Sequence, residues 1–266
     1  MSLAAPRFVV RRVVPDNVRR VLWGDRTRWG RDKDETDPDW IEWNAVMERF
    51  YDSSQRRGVG RWVNDAGYRI MREVDLEGAV LLELGPGTIT HHADWSGRPK
   101  NVHLVDIDPR MAQRGATALE AIGVPVEVHQ LESDARIPLP DESVDVVVTF
   151  YALEHVHPIR AQLDELKRVL VPGGVVVGAI PAEGGLAWGL GRSLTTRRWL
   201  RRHTSVDPDK IICWEHPNFA DVVVRALLDV FDVDVLRPWP FRFLPTIDLN
   251  LVVKFRASKA HDDSRS

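Results

Sequence analysis

The sequence predicts an α/β fold, a doubly wound and mostly parallel seven-stranded sheet with a helical cap ahead of it. Two observations carry this reading. Strand-length segments recur at 80–82, 101–105, 126–130, 144–150 and 175–180, and the apolar ones, such as 80–82 and 175–180, fit strands buried on both faces. Helical stretches fall between several of them, and such alternation marks a parallel sheet. The first run also ends in Glu83-Leu84-Gly85-Pro86-Gly87, where glycines directly after a strand let the backbone turn tightly and approach a ligand.

In chain order, residues 1–36 are polar and rich in arginine. They read as an extension of loops and short turns, pinned only where Trp23 and Trp29 dock. Asp37-Pro38 is a helix start, and Trp40, Trp43, Met47 and Phe50 then recur at helical spacing. Gly58-Val59-Gly60 breaks that helix, and a second runs over 61–73 with Trp62, Ala66 and Ile70 inward. Together 37–75 form a cap over one end of the sheet.

After the glycine turn comes His91-His92, for which adjacent positions and the lack of a completing ligand argue against a metal. The second strand ends in Asp106, 23 positions beyond Glu83, close to the spacing that puts an acid at the tip of the neighbouring strand. There a carboxylate, with Ile107 beside it, could accept from both hydroxyls of a ribose. Asp108, followed by Pro109, is instead a helix cap. The third strand leads to Glu132-Ser133-Asp134-Ala135, and the fourth to Tyr151-Ala152-Leu153-Glu154-His155 at the carboxyl edge. A helix with Ile159, Leu163, Leu166 and Leu170 on one face precedes the fifth strand. From 181 to 217 the alternation lapses, giving a lid-like insertion with Arg192, Arg197, Arg198, Arg201 and Arg202 within eleven residues. A helix from 219 to 230 and two strands that can pair antiparallel, 231–236 and 249–255, close a main domain of 37–257. The polar tail 258–266 reads as disordered.

With 266 residues, 44% of them hydrophobic, the chain can bury one good core. A net charge of −3 supplies no general field for nucleic acid. The single cysteine, Cys213, excludes an internal disulfide and a cysteine metal cluster. No apolar stretch has the length of a membrane span, and the first fourteen residues hold no unbroken apolar segment. A soluble, cytoplasmic protein is expected, its oligomeric state left open.

These motifs, in this order, resemble those of class I S-adenosylmethionine-dependent methyltransferases, a Rossmann-like family, in its broad small-molecule branch. The resemblance covers roughly 40–180 by motif and 219–257 by topology. It implies S-adenosyl-L-methionine as cofactor, with the methionine end on Glu83, Gly85 and Gly87, the ribose on Asp106, and the adenine amine at Asp134 beside the Ala135 backbone. It implies the closing antiparallel strand pair as well. Ile89 stands where the family often has a third glycine, so either the floor beneath the cofactor is narrowed or the helix starts differently.

The sulfonium methyl is already activated, so the protein mainly positions it and excludes water. His155 suits proton removal from an acceptor hydroxyl, with Tyr151 four residues earlier to orient it. The competing reading makes Glu154 and His155 the start of the next helix. The insertion's arginines are either a solvated face or the recognition of an anionic small-molecule acceptor. Two alternatives to methyl transfer stay open. One is a nicotinamide-dependent oxidoreductase, although the third glycine of the dinucleotide fingerprint is missing. The other is a methyltransferase-like binding subunit without catalysis.

Overall fold

Seven strands form a single sheet in the order β3-β2-β1-β4-β5-β7-β6. They are β1 (Val80–Leu84), β2 (Asn101–Asp106), β3 (Val126–Gln130), β4 (Val144–Phe150), β5 (Leu170–Pro181), β6 (Asp232–Trp239) and β7 (Val252–Ser258). The computed structural model describes residues 9–54, 58–131, 135–244 and 246–260; the expected tail thus lies largely outside the described residues. Strands β1 to β5 run parallel, and Leu82 stands between His103 of β2 and Val147 of β4. Strand β7 is antiparallel to both β5 and β6. The chain order reverses between β1 and β4, which opens a crevice at their carboxyl ends, where open α/β sheets bind ligands.

Both faces are covered, as the apolar composition of β1 and β4 demands. One face packs against α6 (Ile159–Val169) and α10 (Ala220–Val230), with Leu163, Leu166, Val223 and Leu227 fully buried beside Leu82 and Val147. The other packs against α5 (Pro109–Glu120) through Ala112, Ala116 and Leu119. Asp108 caps α5 by accepting from the Arg110 amide at 2.9 Å, ahead of Pro109, as the sequence leads one to expect.

The connection after β1 departs from regular alternation. Among the described residues, 85–100 contain no α-helix, only one 3-10 turn, His91–Asp94. Ile89 explains this: it is 2% exposed, packed in the core that contains Leu104 and Ala112, and it does not line the cavity. Of the two outcomes the sequence leaves open at Ile89, the altered helix start is the one realised. The vacant place on the sheet face is taken by α4 (Gly58–Tyr68) and the 3-10 turn Arg69–Glu73, with Tyr68 edge-on to Phe150 at 5.0 Å and 5.4 Å from the His91 ring.

The helices ahead of β1 therefore divide their work. Helix α4 lies on the sheet, with Ala66 and Ile70 buried. Helix α3 (Pro38–Ser54) joins the insertion, which folds as α7 (Leu186–Leu194), α8 (Thr196–His203) and α9 (Pro208–Glu215). Trp40, Trp43 and Phe50 of α3 share a small core with Leu200, Ile211 and Trp214. Trp62, expected to face inward, is 53% exposed and rests edge-on against Trp239 at 4.4 Å. The amino-terminal segment is more ordered than loops and turns, with α1 (Asp16–Trp23) and the short α2 (Arg26–Trp29). Trp23 is fully buried and donates its indole N–H to the Gly185 carbonyl at 3.0 Å, while Trp214 donates to the Trp29 carbonyl at 2.8 Å.

Two substitutions separate these roles. Trp23→Ala removes a buried indole and should cost about 3–5 kcal/mol in denaturant unfolding. Trp62→Ala, at a position the sequence marks as core, should stay within about 1 kcal/mol of the parent protein.

Candidate active site

A cavity of about 1900 Å³ opens at the carboxyl edge of the sheet, between β1, β2 and β4 below and α3, α7, α8 and α9 above. Pockets for single small ligands run to about 300–1000 Å³, so this one has room for two. One side is built by the glycine turn, Asp106, Ile107 and Ala135, the other by Tyr51, Glu154, His155, Glu215 and His216.

On the first side, Gly85 and Gly87 both adopt positive φ, 69° and 50°. A side chain at Gly85 would meet Ala152 at 2.6 Å, whereas one at Gly87 would project into open space. The turn thus offers bare backbone to the cavity. Asp106 accepts from the Asp108 amide at 2.9 Å, and burial pushes its carboxyl up to about 6. Ile107 is 58% exposed and forms an apolar wall. Ala135 holds a left-handed conformation, φ 64°, at the same rim, a backbone state that non-glycine residues adopt sparingly. Asp134 lies outside the described residues.

Glu83 stands behind the turn rather than in the cavity wall. Its Oε1 lies 2.7 Å from His91 Nε2, and Trp95 Nε1 donates to His91 Nδ1 at 3.1 Å. With Nδ1 accepting, the imidazole proton sits on Nε2 and is donated to Glu83. Glu83 Oε2 is buried with no hydrogen-bond partner, and a buried lone acceptor calls for a donor. The His91 partnership escapes sequence reasoning, because eight residues of irregular turn separate the pair.

On the second side, His155 lies at the carboxyl edge as expected, partly exposed to the cavity. Its Nδ1 is 3.6 Å from Glu215 Oε2 and its Nε2 is 3.8 Å from Glu154 Oε1. Its ring stands 4.5 Å from that of His216. Burial raises the Glu154 carboxyl to about 7 and lowers the His216 imidazole well below its usual range. Tyr151 does not join this group by its hydroxyl, which donates to the Val63 and Asn64 carbonyls of α4 at 3.1 Å. Burial pushes that phenol well up. The tyrosine that serves the cluster is Tyr51, donating to Glu215 Oε2 at 3.2 Å. Its place directly after Phe50 is the only signal of it in the sequence.

The five arginines of the insertion separate by burial. Arg192 is buried and pairs with Glu183 at 2.9 Å. Arg197 is buried too, with Asp209 at 2.6 Å and the Val21 carbonyl as partners. Both brace the insertion, so a uniformly solvated face does not describe the five, and Arg192 also lines the cavity. Arg198 and Arg202 are exposed and line the cavity; Arg201 is exposed and does not. Among the described residues no helix is long and apolar enough to cross a membrane.

Comparison with known proteins fits this geometry. Residues 82–178 match the family model for a methyltransferase domain. The chain is 34% identical over 101 residues to the ubiquinone/menaquinone biosynthesis C-methyltransferase UbiE of Citrobacter koseri, covering 36% of this chain and 40% of that protein. It is 40% identical over 78 residues to the N(4)-bis(aminopropyl)spermidine synthase of Thermus thermophilus, covering 29% and 22% respectively. The matched stretch thus spans about two fifths of the length of the first of these curated relatives. Among solved structures, a SAM dependent methyltransferase from Aquifex aeolicus superposes with a TM-score of 0.54 at 16% identity, over 82% of this chain and 98% of that one. The PH0226 protein of Pyrococcus horikoshii gives 0.55 at 14% identity, over 80% and 98%. At such identities the structural likeness speaks for the fold.

The division among the arginines is measurable. Arg197→Ala removes a buried guanidinium together with its bonds to Asp209 and the Val21 carbonyl, and should cost about 1–3 kcal/mol. Arg202→Ala should leave thermal stability unchanged within about 0.5 kcal/mol.

Proposed function

We propose that the chain is a class I S-adenosylmethionine-dependent methyltransferase, and that it transfers a methyl group to a small-molecule acceptor held beneath the insertion. Its fold and the methyltransferase-domain match of residues 82–178 support this reading. The observation that carries this is the shared cavity: the glycine turn and Asp106 line one side, and the carboxylate–imidazole cluster lines the other. The residues on the first side fit the family's cofactor. Gly87 leaves bare backbone and Asp106 has a carboxylate at a strand tip, while Glu83, behind the turn, keeps one buried oxygen without a hydrogen-bond partner. Bound there, the cofactor supplies a methyl carbon already activated by its sulfonium.

What this chain contributes is position and exclusion of water. Gly85 and Gly87 admit the methionine portion to the backbone, Asp106 takes the ribose hydroxyls, and Ile107 and Ala135 border the adenine. Asp134 belongs with them by its place after β3. The lid of α7 to α9 and the aromatic face of α3 close the space above. The whole insertion lies beyond the domain match, which ends at 178, so the acceptor must be argued from this chain alone. Arg198 and Arg202 at the rim favour an acceptor bearing an anionic group. His155 reaches into the cavity from the edge of β4, and we assign it to the acceptor's reacting atom.

Calorimetric titration with S-adenosylmethionine tests the cofactor half. Asp106→Ala should weaken binding by about 1.5–3 kcal/mol for each charge-assisted hydrogen bond lost. The ribose hydroxyls donate to the ionised form, so affinity should be flat above pH 6 and fall as pH drops through about 6. A pH-independent affinity, or no binding at all, refutes the assignment.

For the acceptor half, His155→Ala should lower turnover by about 10²-fold or more while cofactor affinity holds. Parallel loss of both would make His155 scaffolding.

A further inference from the structure

His155, Glu215 and His216 each offer one ligand atom, and the three atoms lie within 4.8 Å of one another. His155 Nδ1 stands 3.6 Å from Glu215 Oε2, too long for a hydrogen bond. That distance is close to the spacing of ligands around a shared ion. With metal–ligand lengths of about 2.0–2.1 Å, tetrahedral ligand atoms stand about 3.3 Å apart. The wider separations close by rotation of His155, the exposed member of the set.

A carboxylate also flanks each imidazole. His216 Nδ1 lies 3.2 Å from Glu183 Oε2 without a hydrogen bond formed, which leaves Nε2 as its other ring nitrogen. His155 Nε2 stands 3.8 Å from Glu154 Oε1, which leaves Nδ1 on the Glu215 side. Glu215 accepts from Trp43 Nε1 at 2.7 Å on Oε1 and from Tyr51 on Oε2. A carboxylate behind each ligating histidine, and hydrogen bonds on the ligating carboxylate, are how protein metal sites fix tautomer and direction. Charge agrees: Glu183 pairs with Arg192, whereas among the described residues Glu154 and Glu215 form no ion pair with lysine or arginine.

We propose that His155, Glu215 and His216 bind one divalent metal ion of the zinc class, facing the cavity. Two imidazoles and one carboxylate suit a borderline cation and leave a coordination position open. The open position would hold an acceptor oxygen or water, and His155 is then a ligand rather than a base. That role rests on the methyl-transfer reading; the metal site itself does not. A second group, His103, Glu127 and His129, has similar spacing, but its two imidazoles already contact each other at 3.0 Å, and it serves as an internal control.

The test is calorimetric titration of the chelator-treated full chain with Zn²⁺, with Co²⁺ absorption as a second readout and Mg²⁺ for comparison. One equivalent of Zn²⁺ should bind, Co²⁺ should give visible bands, and Mg²⁺ should not compete. His155→Ala, at a part-exposed position, should weaken Zn²⁺ by more than the 10–100-fold typical of orienting partners. Tyr51→Phe should weaken it by about 10-fold, and His129→Ala should not change it. Absence of Zn²⁺ binding to the parent protein overturns the proposal, as does binding that survives His155→Ala or disappears with His129→Ala. S-adenosylmethionine is titrated separately, so the cofactor reading and the metal site can fail independently.

Discussion

The site depends on one buried carboxylate, Glu183, just beyond the end of β5. Its side chain is fully buried, with Arg192 at 2.9 Å, Trp188 Nε1 at 2.7 Å and His216 Nδ1 at 3.2 Å. Its own carbonyl accepts from the Ala220 amide. A single residue thus ties the first insertion helix and the end of the third to the sheet by its side chain, and the start of α10 by its backbone carbonyl. Burial alone would raise this carboxyl, but Arg192 beside it reverses that and holds it at about 2. Loss of one partner of such a buried pair is far costlier than the pair's net contribution. The insertion is therefore a fixed roof at its root, with Arg198 and Arg202 out at the rim.

The division of labour follows the sheet. Parallel strands present their carboxyl ends to one edge, so Glu83, Asp106 and His155, far apart in sequence, arrive at the same side. The glycine turn and Asp106 come with the general architecture. The upper wall lies outside the matched domain, because Tyr51, Glu215 and His216 come from α3 and the close of α9. A cavity built from a common floor and an individual roof is how one fold serves many acceptors.

Strand positions, the glycine turn and the Asp108 cap were legible because each rests on local chemistry: apolar runs, positive φ, a side-chain oxygen before proline. Asp106 was legible by spacing. The missing helix after β1 was not, because Ile89 reads as apolar whether it begins a helix or fills a core. Trp62 was misplaced because aromatic periodicity cannot tell which of two faces meets the sheet. The arginines of the insertion looked alike in composition, yet Arg192 and Arg197 are themselves buried, against acidic partners at positions 183 and 209 that only tertiary structure brings near. The Glu83–His91 pair and the role of Tyr51 are tertiary in the same sense.

The amino-terminal segment has a consequence for how the molecule is made. The Val10 amide donates to Asp248 at 2.9 Å, Arg11 and Arg12 both clasp Asp221, and Trp23 docks at Gly185. These contacts join residues 10–23 to positions 185, 221 and 248, so the segment's native seat exists only once the sheet's closing part and the root of the insertion have folded. Contacts between residues so distant in sequence close late and slowly. The segment therefore settles only on a sheet whose antiparallel edge already stands.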